Sequence, residues 1–240
     1  MELLRHKAST KDIDLVVDEE DVLELAKAMR SIGLIVDERK RDGPIVQDTK
    51  DGIFVDLFGG QICGKMVLTK GMEARSHAID ISSKARLHAI SKEDIFLLKS
   101  MTERDRDTDE MFTLYRDGID GEVVLEECDL QDGDCIREDR RIYTAFLAEK
   151  LKEMERRHGI QITWKKKAIE LAEAKMLDRT IYRLVESKRA MKQLDMAIAI
   201  DIPDMGDLPR RRLKAMVEAG YIIRGEDGSY IVARQAKRAE

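Results

Sequence analysis

The sequence predicts a mixed α/β protein with a helical middle and a small C-terminal unit of short helices and a β-hairpin. Three observations carry that prediction. Apolar residues alternate with polar ones in short runs such as "IDLVV" and "IFVDLF" through the first part of the chain, the pattern of half-buried strands. Between residues 121 and 176 the apolar residues recur at helical spacing instead. After Asp178 three short helical patterns are followed by "IRGEDGSYIVA", where Asp227-Gly228 between β-formers signals a hairpin.

The elements follow in order. "KDIDLVV" reads as the first strand. In "DEEDVLELAKAMRSIG", Val22, Leu25, Ala26, Met29 and Ile32 fall on one helical face, with acids in the first turn and Gly33 as the stop. "LIV" (34–36) is a short strand, and turn residues surround another in "ERKRDGPIVQDTKDG". "IFVDLF" (53–58) is a strand placing Phe54, Asp56 and Phe58 on one face. "KMVLTKG", "SHAIDIS" and "ARLHAIS" read as three further strands. Ser91 with Asp94 caps the helix "KEDIFLLKSMTE". Met111, Leu114 and Tyr115 place another helix in "RDRDTDEMFTLYRDG". "REDRRIYTAFLAEKLKEMERRHG" is a long amphipathic stretch, and a new helix starts near Thr163. "YRLVESKR", "MKQLDMAIAI" and "LPRRRLKAMVEAGYI" read as three short helices. These readings divide the chain into 1–120, 121–177 and 178–240.

Composition narrows the class. The chain has 240 residues, 43% hydrophobic and 38% charged, enough apolar material for a folded core. No apolar run approaches a membrane span, and "MELLRHKAST" lacks the apolar core of a signal peptide. Cys63, Cys128 and Cys135 fit no zinc spacing, and neither do His6, His77, His88 and His158. The cysteines are expected to be reduced thiols in a cytoplasmic protein. Net charge is −5, yet residues from Asp178 onward hold 13 Lys/Arg against 10 Asp/Glu. An acidic body with a mildly basic tail is compatible with nucleic-acid contact at that end.

The first strand carries the chemistry. Asp12 and Asp14 share a face, and two like charges side by side destabilise a strand unless water or a cation reaches them. A solvated edge strand and a metal site both meet that condition. Asp56, mid-strand among apolar neighbours, adds a third carboxylate, and hard oxygen ligands of this kind suit Mg²⁺. Asp80 in "AIDI" is the alternative third member.

"STKDIDLVV", a strand–helix–strand order and "FVDLF" some forty residues on resemble the nucleotidyltransferase superfamily, the DNA polymerase β-like fold. "LLKSMTERDRDTDEMFTLY" is similar to the Lys…Arg-x-x-Asp helix of the abortive-infection-type bacterial and archaeal branch. The resemblance covers about residues 1–117 and implies a mixed sheet with flanking helices. It implies Asp12 and Asp14 as the metal-binding pair and Asp56 as the third ligand, which also helps deprotonate the acceptor. Mg²⁺ or Mn²⁺ would be the cofactor and an NTP the substrate. Asp56 is preferred over Asp80 because its strand comes earlier and matches the family order. Lys99 would point toward nucleotide phosphates, with Arg104 and Asp107 buttressing the site, although helix-surface ion pairs explain Lys99 and Arg104 equally well. The superfamily's Gly-Gly or Gly-Ser turn falls at or before Met1, and the coding sequence is expected to continue upstream and supply it.

The last segment resembles a winged helix-turn-helix. Its recognition helix would open with Arg210, Arg211, Arg212 and Lys214 facing nucleic acid. Leu213, Met216 and Val217 would pack that helix down, and Tyr230 would anchor the wing. Domains of this kind also serve in protein docking and dimerisation.

Overall fold

The computed structural model describes residues 12–37, 45–48, 52–62, 66–82, 85–138, 140–200 and 208–233. The chain divides into two units, Met1–Glu127 and Cys128–Glu240.

In the first unit, β1 (Asp12–Val17), β2 (Ile35–Asp37), β3 (Ile45–Asp48) and β4 (Ile53–Gly59) form a four-stranded sheet in the order β1-β4-β3-β2. β1 runs parallel to β4, and the other two pairs are antiparallel. The parallel pair needs a crossover, which includes α1 (Val22–Ser31). Alternation along the strands sends Leu15, Val17, Val36, Val46, Val55 and Leu57 to the face that packs on Val22 and Ala26 of α1. Val46, Leu57 and Ala26 are buried to 1% exposure or less, the Val46 and Leu57 side chains each contributing about 1.5–3 kcal/mol. Ile32, expected on the packed face, lies one residue past α1 and is 76% exposed, because the chain turns there into Gly33 at φ 94°.

Two small antiparallel ribbons follow, β5 (Gln61–Ile62) with β6 (Met66–Val67) and β7 (His77–Ser82) with β8 (Ala85–Ala89). The strand expected over "KMVLTKG" stops at Val67. Thr69 intervenes as an N-cap, its side chain accepting from the Met72 amide at 3.1 Å, and opens α2 (Lys70–Arg75). Helices α3 (Lys92–Ser100) and α4 (Asp105–Arg116) pack together, and α5 (Gly121–Asp132) runs across the division between units. Ser91 caps α3, donating to Asp94 while accepting from its amide.

A buried polar cluster ties α2, α3 and α5 together within the first unit. Arg75 bridges Asp94 at 2.6 Å and Glu127 at 2.7 Å, and Thr69 donates to Glu127 at 2.8 Å. Asp94 and Glu127 are almost inaccessible, so each depends on these partners.

The second unit contains α6 (Tyr143–His158), α7 (Lys165–Lys188), α8 (Gln193–Ile200), α9 (Leu208–Glu218) and the hairpin β9 (Ile222–Arg224) with β10 (Tyr230–Val232). The amphipathic stretch beginning at Arg137 becomes helical only at Tyr143. There the buried Asp132 carboxylate receives the Tyr143 amide, the Thr144 hydroxyl and the Lys175 ammonium, which fixes the start of α6. "YRLVESKR" is not a separate helix. It is the end of the 24-residue α7, which holds no Gly or Pro to interrupt it, so the division expected at 177/178 falls within a helix. The core joins Ile181, Tyr182 and Val185 of α7 to Met196, Leu213, Met216, Ile222 and Tyr230. Tyr230 and Met191 exchange backbone hydrogen bonds at 2.8 and 3.1 Å, pinning the hairpin to the segment before α8.

Candidate metal and nucleotide site

The parallel pairing of β1 and β4 sets the site. Its register aligns Asp14 with Asp56 and Asp12 with Phe54. Aligned residues share a face, so Asp14 and Asp56 stand side by side on the face opposite α1. The Asp12 side chain lies outside the described residues, although its backbone occupies the next position of the same face.

Burial is graded along this face. Phe58 is 6% exposed, Asp56 is intermediate, and Phe54 is 37% exposed, so the carboxylates sit where the covered part of the sheet opens to solvent. Within Asp56 the Oδ1 atom is buried and has no hydrogen-bond partner. An oxygen withdrawn from water without a donor costs about 1–3 kcal/mol, which a bound cation would offset.

This donor set fits Mg²⁺ or Mn²⁺. Both take hard oxygen ligands, and Mg²⁺ is commonly held by one or two carboxylates with waters and substrate phosphates completing the shell. Among the described residues, no group of three or more His, Cys, Asp or Glu converges on a point. What the described side chains supply is therefore a pair. Asp80 does not belong to it: Asp80 lies on β7 in a separate ribbon, 73% exposed and paired with Arg86 at 2.8 Å.

Lys99 and Asp107 meet each other. The Lys99 ammonium, 18% exposed, lies 3.3 Å from Asp107 and also contacts Glu110. Asp107 additionally accepts from the Thr102 hydroxyl at 2.6 Å. Burial alone would raise the Asp107 pKa, but the Thr102 hydroxyl and the Lys99 charge outweigh it and hold the carboxyl below its ordinary value. Arg104 occupies the exposed N-cap position of α4. The Lys99 charge expected at nucleotide phosphates is engaged by carboxylates of α4, because the α3–α4 turn brings residues 99, 102, 107 and 110 together.

The C-terminal basic run is also split. Arg210, Arg211 and Lys214 are exposed on α9, with Glu218 at 3.7 Å from Lys214. Arg212 differs from the expectation: its guanidinium forks onto Asp178 of α7, a carboxylate only 5% exposed. The reason is helical geometry. Arg212 lies four residues before the buried Met216, on the packed side, whereas Arg210 and Arg211 project elsewhere. Val217, expected in the core, is 37% exposed.

Sequence reasoning missed Gln47, which the register places beside Phe54 on the carboxylate face. Its strand is too short for alternation to give its pairing. It also missed Arg75, Asp132 and Lys175, whose partners are distant in sequence. No known family profile matches this chain, and no curated protein is significantly similar to it in sequence. Among the described residues, no helix is long and apolar enough to cross a membrane.

Proposed function

We propose that the chain is a metal-dependent nucleotidyltransferase with a DNA polymerase β-like N-terminal domain, moving a nucleoside monophosphate from an NTP to a hydroxyl acceptor. The observation that carries this reading is the unpartnered, buried Asp56 Oδ1 on the strand aligned in parallel with Asp14. Asp14 and Asp56, with Asp12 on the same strand, would hold the ion. When bound, Mg²⁺ neutralises charge on the transferring phosphoryl group. Asp56 would also accept the proton of the acceptor hydroxyl as that oxygen bonds to the α-phosphorus and pyrophosphate leaves. The covered end of the face near Phe58 limits water there.

The test is label transfer from α-³²P-labelled NTPs in Mg²⁺, with pyrophosphate release measured in parallel. Asp14→Asn and Asp56→Asn should each abolish both signals, and Asp80→Asn should retain them. Equal activity in Asp56→Asn and the native chain would refute the assignment.

A second reading concerns the C-terminal unit, which we propose is a winged helix that contacts nucleic acid. The exposure of Arg210, Arg211 and Lys214 on α9 favours it. In this reading a catalytically degenerate transferase domain would serve as a platform for a regulator. Duplex DNA binding by the full chain should weaken steeply with salt, and Arg210→Gln with Arg211→Gln should flatten that slope. No binding at low salt would leave the surface to a protein partner.

A further inference from the structure

The carboxylates do not exhaust their face of the sheet. One register row crosses it as Asp37, Ile45, Asp56 and Asp14, and the adjacent row as Ile35, Gln47, Phe54 and Asp12. β4 is an interior strand, with β1 on one side and β3 on the other. Yet Phe54 is 37% exposed and Ile35, in the same row, 54%. A solvated sheet face ordinarily carries polar residues, so a half-exposed aromatic ring at its centre is the informative departure.

We infer that Phe54 and Gln47 seat the base of the incoming nucleotide, which makes them specificity-determining residues for the carboxylate site. The inference rests on the transferase reading and deepens it. Asp56 and Phe54 are two positions apart, roughly 7 Å along the strand and comparable to the reach of one ribose between its 5′-phosphate and its base. A nucleotide whose phosphates are drawn to a cation at Asp14 and Asp56, and which extends toward the adjacent row, sets its base beside the Phe54 ring. An aromatic side chain stacks on any base, because every base has a π-face. Gln47, one strand away in the same row, carries an amide that both donates and accepts and can address the base edge. The ring thus supplies affinity without selecting a base, while Gln47 supplies selection.

Calorimetric titration of the full chain in MgCl₂ with ATP, and separately with inorganic tripolyphosphate, tests this. Phe54→Ala should weaken ATP by about five-fold or more while leaving tripolyphosphate binding unchanged, and Phe54→Tyr should restore ATP binding. Equal weakening of both ligands would overturn the proposal, since the ring would then only support the sheet. Unchanged ATP affinity would overturn it too; weaker binding of a short single-stranded oligonucleotide in that case would assign the ring to the acceptor. In these outcomes the carboxylate site still stands. A native chain that binds neither ligand would remove both readings together. Conversion of a native dimer to monomer by Phe54→Ala, with ATP affinity intact, would assign the face to a second copy of the chain.

Discussion

Replacing Asp56 with Val should reverse the order of stability between variant and native chain according to whether a divalent cation is present. In chelator, the native chain carries a buried oxygen without a donor. Only one of its two carboxylate oxygens is in that state, and the residue as a whole is of intermediate exposure, so the low end of the penalty applies, about 1 kcal/mol. Val has similar volume and suits a strand. Asp56→Val should therefore be more stable than the native chain by about 1 kcal/mol without metal. With Mn²⁺ at a hundred times its dissociation constant the native chain gains about 2.7 kcal/mol by mass action, and the variant gains nothing. The native chain is then ahead by roughly 1.7 kcal/mol, the difference of the two effects.

Hydrogen exchange over β4 reads this directly, because the two units need not unfold together. Strand propensity alone could favour Val by up to about 1 kcal/mol, so Asp80→Val on the exposed β7 ribbon serves as the control. A variant less stable than the native chain in chelator would mean that Oδ1 has a donor after all. A variant that still responds to Mn²⁺ would move the metal elsewhere.

Arg212→Ala should destabilise the second unit by about 3 kcal/mol, because it strands Asp178 in a nearly dry site, whereas Arg210→Ala should stay within about 0.5 kcal/mol. The single tryptophan, Trp164, lies in that unit and reports its unfolding in urea. Burial already raises the Asp178 pKa against the pull of Arg212, so the deficit of Arg212→Ala should shrink as pH falls and the stranded carboxyl takes a proton. Asp107 has the opposite sign. Its folded pKa is depressed, so its contribution is present above the unfolded value of about 4 and lost as pH falls through the folded one. Asp107→Asn should therefore flatten the acid limb of first-unit stability measured by hydrogen exchange, and an unchanged limb would refute the pairing with Lys99 and Thr102. Gly59→Ala should cost about 1–3 kcal/mol, since a Cβ there would meet Val22 Cγ2 at 2.7 Å and Glu19 Cα at 3.0 Å. Thermal unfolding measures it, and the loss should be partly recovered by Val22→Ala.

The strands that hold the candidate site were legible because their signal is local. Period-two alternation in "IDLVV" and "IFVDLF" gave both the strands and the faces that their side chains share. The register of β1 on β4 was not legible, since many alignments of two short strands satisfy the same alternation. It is the register that aligns Asp14 with Asp56, and the sheet topology, with β7 in a separate ribbon, that sets aside Asp80. Helix ends were the weaker part for a related reason. The start of α6 is fixed by Asp132, eleven residues before Tyr143, and no pattern in "REDRRIYT" announces a cap from that distance.

Cations raise the same difficulty in a sharper form. Lys99, Arg210, Arg211 and Arg212 look alike in sequence, each a positive charge on a helix near a proposed phosphate. A charge is available to a ligand only if no carboxylate of the chain has engaged it first, and that depends on which helices pack together. Packing of α3 on α4 commits Lys99 to Asp107 and Glu110, and packing of α7 on α9 commits Arg212 to Asp178. Both pairs lie where water is largely excluded, so releasing either cation would leave a buried carboxylate uncompensated. With Lys99 so engaged, the charged side chains described on the face of Asp14 and Asp56 are carboxylates, of the same sign as a triphosphate. In the transferase reading the divalent cation bound with the nucleotide supplies counter-charge on that face, and nucleotide affinity should fall in chelator.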